Sequence, residues 1–390
     1  MHRSKYLAVL VTVFLLFPGC AGKVPQSSTN TSSPGSQITL TREGKPDGGK
    51  APDSRKKPGG RKKPPIAGPQ TGFAALAKKY NLITLPTYDG SGQSTHPKIL
   101  YFPKGWHGYK YWMSNTPYPD GNDDYENPSI DVSNDMVHWS APAKGVNPVS
   151  GIPTDVKYGG HYSDSHIVMH GNTMELWYRY NWGDMKTRRT DYSMDYYYRK
   201  TSTDGVHWSK AQLMQSSKDG ILSLAVNYTG NEYEFWYTTY NHRLMHAESV
   251  NGKDWKYIRE CSLNLPHDYA PWHQDIVQFK GEYYLLQTGI NIRHYSFALF
   301  LSHSSDGINW SNGAPFYPSD DPVIRSQVWL YRSTLFQDNN NFDMMIAMRF
   351  PDGRWYMMKS TIPISEFLQA DWAKPVILPS TSPKTAARAV

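Results

Sequence analysis

Ser202-Thr203-Asp204-Gly205-Val206-His207-Trp208 recurs as Ser249-Val250-Asn251-Gly252-Lys253-Asp254-Trp255 and as Ser304-Ser305-Asp306-Gly307-Ile308-Asn309-Trp310. A fourth copy, Ser133-Asn134-Asp135-Met136-Val137-His138-Trp139, carries methionine in place of the glycine. Asp-Gly and Asn-Gly pairs supply the positive φ that a tight turn between antiparallel strands demands, and the following Trp is placed to clamp the hairpin by packing over it. One such turn means little, but four spaced 69, 47 and 55 residues apart are a repeat. Ahead of each turn runs an alternating aromatic strand: Tyr109–Met113, Met174–Tyr178, Tyr233–Tyr237 and Glu282–Leu286. A fifth, Phe342–Ile346, has no Trp turn behind it. Each is preceded by another strand, at Lys98–Phe102, His166–His170, Leu222–Tyr228, Asp275–Phe279 and Arg332–Gln337. The unit of strand, turn, strand, longer loop, strand, Trp turn and strand predicts an all-β protein, a five-bladed β-propeller of four-stranded blades over residues 71–390. A β-sandwich does not explain why one turn recurs at this period.

The repeats are preceded by a different kind of sequence. Residues 1–20 read as an export signal: basic Arg3 and Lys5, an apolar run from Tyr6 to Phe17, then Pro18-Gly19-Cys20. The run is shorter than the roughly 20 residues a membrane span needs. Gly19 before Cys20 resembles a lipoprotein cleavage site, with Cys20 the lipidated first residue; plain secretion with cleavage after Gly22 is the alternative. The only other cysteine is Cys261, so no disulfide framework exists to occupy Cys20. Cys261, beside Arg259 and Glu260, reads as an inert half-buried thiol. Residues 21–70, rich in Ser, Thr, Gly, Pro and Lys, have too little to bury and are expected to be a disordered tether.

The charge of the chain, +7, is misleading. Residues 41–65 hold nine basic and three acidic side chains, and Arg3, Lys5 and Lys23 lie before them, a surplus of nine that leaves residues 66–390 at −2. A basic tether on a nearly neutral domain excludes nucleic acid as the domain's partner and suits anionic headgroups or wall polymer. The expected location is the cell envelope, lipid-anchored and extracytoplasmic, at the outer membrane if the cell has one.

Blades ending in Ser-x-Asp-Gly-x-x-Trp resemble the five-bladed propellers of the superfamily holding glycoside hydrolase families 32, 43, 62, 68 and 130, over about residues 94–367. The resemblance implies that inner strands begin at the mouth of a central funnel. It places Asp164 where family 43 proteins carry an orienting Asp, but His96 where their base Asp stands and Leu222-Ser223 where their acid Glu is expected. Function sits in grafted sites rather than in the fold, so this departure calls for carboxylates from elsewhere.

The inner-strand starts and the loop Tyr118–Asn127 supply them. Glycosidase chemistry wants two carboxyl groups about 5–10 Å apart, and Asp164, Asp275 and Glu126 are the catalytic candidates, with Asp123 and Asp124 behind them. Glu126 sits between Tyr125 and Asn127-Pro128, where an aromatic wall would raise its pKa toward that of a general acid. His96, His166 and His273, with the two aspartates, form a second candidate set, for substrate or for a divalent metal. Residues 164 and 166, like 273 and 275, share a strand face. Trp182 and Trp272 stand at loop or strand mouths, where indole faces stack sugar rings, and Arg332, with Arg179, suits an acidic sugar. The expected function is a surface-anchored, glycoside hydrolase-like protein acting on an extracellular or envelope polysaccharide, with no cofactor required and the divalent metal an alternative use of the histidines. A non-catalytic carbohydrate-binding or scaffold propeller is the alternative.

Overall fold

The computed structural model describes residues 77–379 except 81, 152–159, 185–188, 219 and 267, and the backbone but not the side chains of 182–184 and 189–193. The signal with Cys20 and the tether expected over 21–70 lie outside the described residues.

After a short strand β1 (Leu82–Ile83) come five sheets, one per repeat. Blade one is β2 (Ser94–Trp106), β3 (Tyr109–Pro117) and β4 (Ser129–Ser133); blade two is β5 (His161–His170), β6 (Thr173–Asp184), β7 (Arg189–Ser202) and β8 (Gln212–Ser217). Blade three is β9 (Ser223–Tyr228), β10 (Tyr233–Thr238), β11 (Leu244–Ser249) and β12 (Lys256–Glu260). Blade four holds β13 (Tyr269–Phe279), β14 (Glu282–Asn291), β15 (Ser296–Ser304) and β16 (Ala314–Tyr317). Blade five has an inner strand in two pieces, β17 (Trp329–Leu330) and β18 (Thr334–Asp338), then β19 (Asn341–Arg349) and β20 (Trp355–Pro363). A last strand, β21 (Val376–Ile377), adds in parallel to β16. Inner strands β2, β5, β9, β13 and β18 touch in that order and return to β2, so the blades close a ring, the five-bladed propeller. Strand β1 completes blade five by pairing with β20, Leu82 opposite Met358, so chain from before the first repeat seals the last one.

The recurring heptapeptide has a physical reason at each position. Ser202 Oγ accepts the N–H of Asp204 and Gly205 (3.3 and 2.8 Å), and Asp204 Oδ1 accepts those of Val206 and His207 (2.8 Å each). Ser304 with Asp306 repeats the pattern, and Ser249 with Asn251 repeats it except for the bond from the glycine N–H. Trp208, Trp255 and Trp139 each donate Nε1–H to the carbonyl three residues back. The glycine serves the neighbouring blade as well: a Cβ on Gly205 would stand 2.0 Å from the Trp112 ring, on Gly252 3.0 Å from Trp177, and on Gly307 2.9 Å from Trp236. The turn of one blade is thus the seat for an indole of the blade before it. Met136, at φ 63°, is buried with Phe336, Met345 and Met357 of blade five, so methionines pack the interface between blades five and one, where this seat is absent. Five hydrophobic clusters lie one between each neighbouring pair of blades, which leaves the axis to polar side chains.

Candidate active site

Four of the five inner strands are irregular where they begin. Pairing of β2 with β3 shifts between Thr95 and Lys98, of β5 with β6 between Ser163 and His166, and of β13 with β14 between Pro271 and His273. Blade five breaks its inner strand over Tyr331–Ser333, and only β9 runs regularly. Bulges re-aim side chains. Here they turn His96, Asp164, His273 and Arg332 onto the axis, with His96 (φ 54°) and Asp164 (φ 52°) in the left-handed region that costs a non-glycine residue about 1–3 kcal/mol.

Asp164 is the hub. Its Oδ1 lies 3.0 Å from His273 Nδ1, 3.3 Å from Arg332 Nη1 and 3.7 Å from His96 Nε2; its Oδ2 lies 3.0 Å from Ser163 Oγ and 3.2 Å from Arg179 Nε. The His273 contact is off the line of a hydrogen bond, and both its ring nitrogens, like His96 Nε2, are buried without a hydrogen-bond partner. Arg179 also faces Asp195 at 3.6 Å, which Asn181 holds at 2.8 Å. Burial opposes the Asp164 charge, but His96 and His273 while protonated, and Arg179 at any pH, outweigh it and hold the carboxyl well below the usual Asp range. Burial pushes His96 well down and His273 down, against the pull of Asp164, so both imidazoles are neutral.

Ligand-capable atoms of His96, Asp164 and His273 all lie within 4.8 Å of one another. Two neutral imidazoles with orphaned nitrogens and one ionised carboxylate make a donor set that fits a divalent cation with open positions. Above it stands Glu126, 5% exposed, its Oε1 3.6 Å from His96 Nδ1 and its Oε2 3.9 Å from His161 Nε2. His161 Nδ1 in turn faces Asp123 at 3.7 Å. Burial, then the nearby Asp164 charge, raises the Glu126 carboxyl well above the usual Glu value. Asp164 kept ionised and Glu126 kept protonated to higher pH are two carboxyl groups pushed apart by their surroundings, as acid–base chemistry needs.

The remaining sequence candidates separate. His166 points one layer lower, Nε2 3.0 Å from the Val226 carbonyl and Nδ1 3.3 Å from Arg332 Nη2, and does not join the three-residue donor set. Asp275 is engaged by Lys98 Nζ (2.7 Å), Thr334 Oγ1 (2.8 Å) and the Leu335 N–H (3.0 Å). Trp272, half-buried, donates Nε1–H to Tyr331 Oη at 3.2 Å and faces the His242 ring at 5.6 Å. The side chain of Trp182 lies outside the described residues. Two residues that sequence reasoning passed over join the site: His161, at the head of β5, and Tyr331, whose ring packs against His273 (4.7 Å) and His96 (5.6 Å). The signal for His161 was its place two residues before the Ser163-Asp164 start.

No family model matches the chain. A stretch of 116 residues, 30% of the chain, is 34% identical to an A type blood N-acetyl-alpha-D-galactosamine deacetylase of Flavonifractor plautii and spans 14% of that protein's length. The chain is similar in structure to an N-acetylgalactosamine deacetylase from F. plautii in complex with blood group B trisaccharide, with TM-score 0.58 and 20% identity over 71% of this chain and 91% of that one. The fold is shared with the family 43 glycoside hydrolases. A family 43 protein from Bacillus licheniformis matches at TM-score 0.51 and 14% identity over 70% of this chain and 52% of that one. An α-L-arabinanase of Cellvibrio cellulosa matches at 0.50 and 10% over 70% and 91%. The similar proteins are carbohydrate-active, a deacetylase among them.

Proposed function

We propose that the chain hydrolyses the acetamide of an N-acetylated amino sugar with the help of a divalent cation, releasing acetate and leaving the glycosidic bonds whole. The reading rests on one observation: two imidazoles, each with a buried ring nitrogen that makes no hydrogen bond, and an ionised carboxylate converge beside a buried carboxyl of raised pKa. The identity with a deacetylase over 116 residues supports it. A glycosidase on this frame is less well served, because Leu222-Ser223 offers no acid and Asp275 is committed to Lys98.

His96, Asp164 and His273 would hold the cation, which when bound polarises the acetyl carbonyl and makes water a better nucleophile at neutral pH. Arg179 and Arg332 keep Asp164 charged and aimed, and Tyr331 walls the two imidazoles. Glu126, in its ionised form, takes the proton of the attacking water as its oxygen adds to the acetyl carbon. It returns that proton to the sugar nitrogen as the C–N bond breaks, so acetate and a free amine leave. His161 lies beside Glu126, its Nε2 3.9 Å from Oε2. In this reading the domain works in the cell envelope, anchored through lipidated Cys20, on an extracellular or envelope glycan.

The test is acetate release from the methyl glycoside of N-acetylgalactosamine with added zinc or manganese and after chelation. Release that chelation abolishes, and that Glu126→Gln lowers at least 100-fold while substrate still binds, is expected. New reducing ends without acetate would instead identify a glycosidase, and neither product would leave the sugar-binding propeller.

A further inference from the structure

An aromatic path leads away from the reaction centre. From His273 it passes to Tyr331 (ring centroids 4.7 Å), to Phe297 (5.0 Å), and then to Trp329 (5.4 Å) and Tyr295 (5.6 Å). Inner members are covered, but Tyr295 is 61% exposed, as is Ile292. Both belong to the loop joining β14 to β15, on the side where β13 begins, since Tyr269 pairs with Asn291 and Asn291 with Ser296. That is the mouth of the funnel.

The loop is built to hold its shape. Asn291 Oδ1 accepts the N–H of Arg293 and His294 (3.1 and 3.0 Å), the Ile292 N–H reaches the Asp268 carbonyl (3.2 Å), and Arg293 Nε pairs with Asp268 Oδ1 at 2.8 Å. Tyr295 is held at φ 47°. Arg349 lies over the Trp329 ring at 4.9 Å. From the other direction Tyr118, at the head of the loop that carries Glu126, packs on Trp355 (ring centroids 5.6 Å), which packs on Tyr331 (5.0 Å). The platform and the candidate catalytic carboxyl therefore border the same space.

We infer that Tyr295, Ile292 and Trp329 form a second sugar subsite, which takes the ring next to the acetylated one, so that the substrate is an oligosaccharide or polysaccharide rather than a single sugar. This rests on the proposed reaction for the identity of the first ring. The chemistry selects a sugar as occupant: a pyranose offers an apolar C–H face to the phenol and indole and hydroxyl edges to Arg349, Arg293 and the Tyr295 hydroxyl. A rigid exposed ring continuous with the site pays little ordering entropy on binding.

The experiment is calorimetric titration of wild type, Tyr295→Ala and Tyr295→Phe with N-acetylgalactosamine as its methyl glycoside and as the non-reducing end of a disaccharide and a tetrasaccharide. Acetate is measured alongside. The expected result is that wild type binds the longer chains more tightly, that Tyr295→Ala weakens them about 3- to 10-fold with the monosaccharide unchanged, and that Tyr295→Phe restores the preference. Unchanged monosaccharide binding also shows that the variant is folded. Equal binding of all three ligands by wild type, or equal effects of Tyr295→Ala on short and long ligands, overturns the subsite. Failure of the deacetylation reading is separate: it is seen as length-dependent binding without acetate.

Discussion

Replacing Asp164 with asparagine is the sharpest perturbation, because the side chain keeps its shape and loses only its charge. Around it are two guanidiniums, and Arg332 is 1% exposed. Arg179 retains Asp195, but Arg332 is left with the Leu224 carbonyl (3.0 Å) and His166 Nδ1 (3.3 Å) and with no carboxylate. Removing one partner of a buried charge set costs about 3–5 kcal/mol, and the contacts that remain put this case near 3 kcal/mol. For a domain of this size that is a fall of about 5 °C in Tm. Asp164→Asn should therefore unfold more easily in urea as well as lose turnover. Arg332→Met in the Asp164→Asn background should recover part of the loss, since it removes the stranded charge. The sign with pH follows from the depressed Asp164 pKa: its contribution is complete above the unfolded value of about 3.9 and is lost as pH falls further toward the folded value. In chelator-treated protein the gap between wild type and Asp164→Asn should be flat from pH 5 to 8 and close below pH 4. A cost under about 1 kcal/mol, or an Arg332→Met penalty undiminished in the variant background, would refute the hub.

Two further outcomes are expected. Gly230→Ala (φ 100°, open space) should cost about 1–2 kcal/mol in urea unfolding, and Gly205→Ala, whose Cβ would meet the Trp112 ring at 2.0 Å, about 1–3 kcal/mol more; equal costs would show that the indole does not seat on that turn. Cells fed a labelled fatty acid should mark the wild-type chain and not Cys20→Ala, and equal labelling would remove the lipid anchor.

The blades were legible because their information is local. Ser and Asp or Asn at fixed offsets, and Trp in three of the four copies, each satisfy a hydrogen bond within the same seven residues, so the repeat survives in the sequence. The seating of Trp112 on Gly205 was not legible, since it joins two blades whose repeats look independent until they are packed. In the site, the turn to the axis was readable for His96, Asp164, His273 and Arg332 from their places at strand starts, and Glu126 from its loop. His161 was missed because a histidine at a strand head has no pattern of its own. Sequence spacing also gave no sign that blade three would stay regular while four other inner strands bulge, and the bulges decide which atoms meet.

Strand alternation placed 164 with 166 and 273 with 275 on common faces, and this is where the sequence reading of the site divides. Residues two apart on one face are separated by roughly 6–7 Å along the strand, so a common face is two layers. The upper layer, His96, Asp164 and His273, keeps His96 Nε2 and both His273 nitrogens without a hydrogen bond. The lower layer is cross-linked: Lys98 of blade one with Asp275 of blade four, Asp275 with Thr334 and Leu335 of blade five, and Arg332 of blade five with His166 of blade two and the Leu224 carbonyl of blade three. That network joins all five inner strands below two residues held at unfavourable φ. Strain of this kind persists only where surrounding structure over-determines it. Asp275 and His166 thus belong with the scaffold: by locking the lower layer they let the upper one hold bare nitrogens and a buried carboxyl in the arrangement the reaction needs.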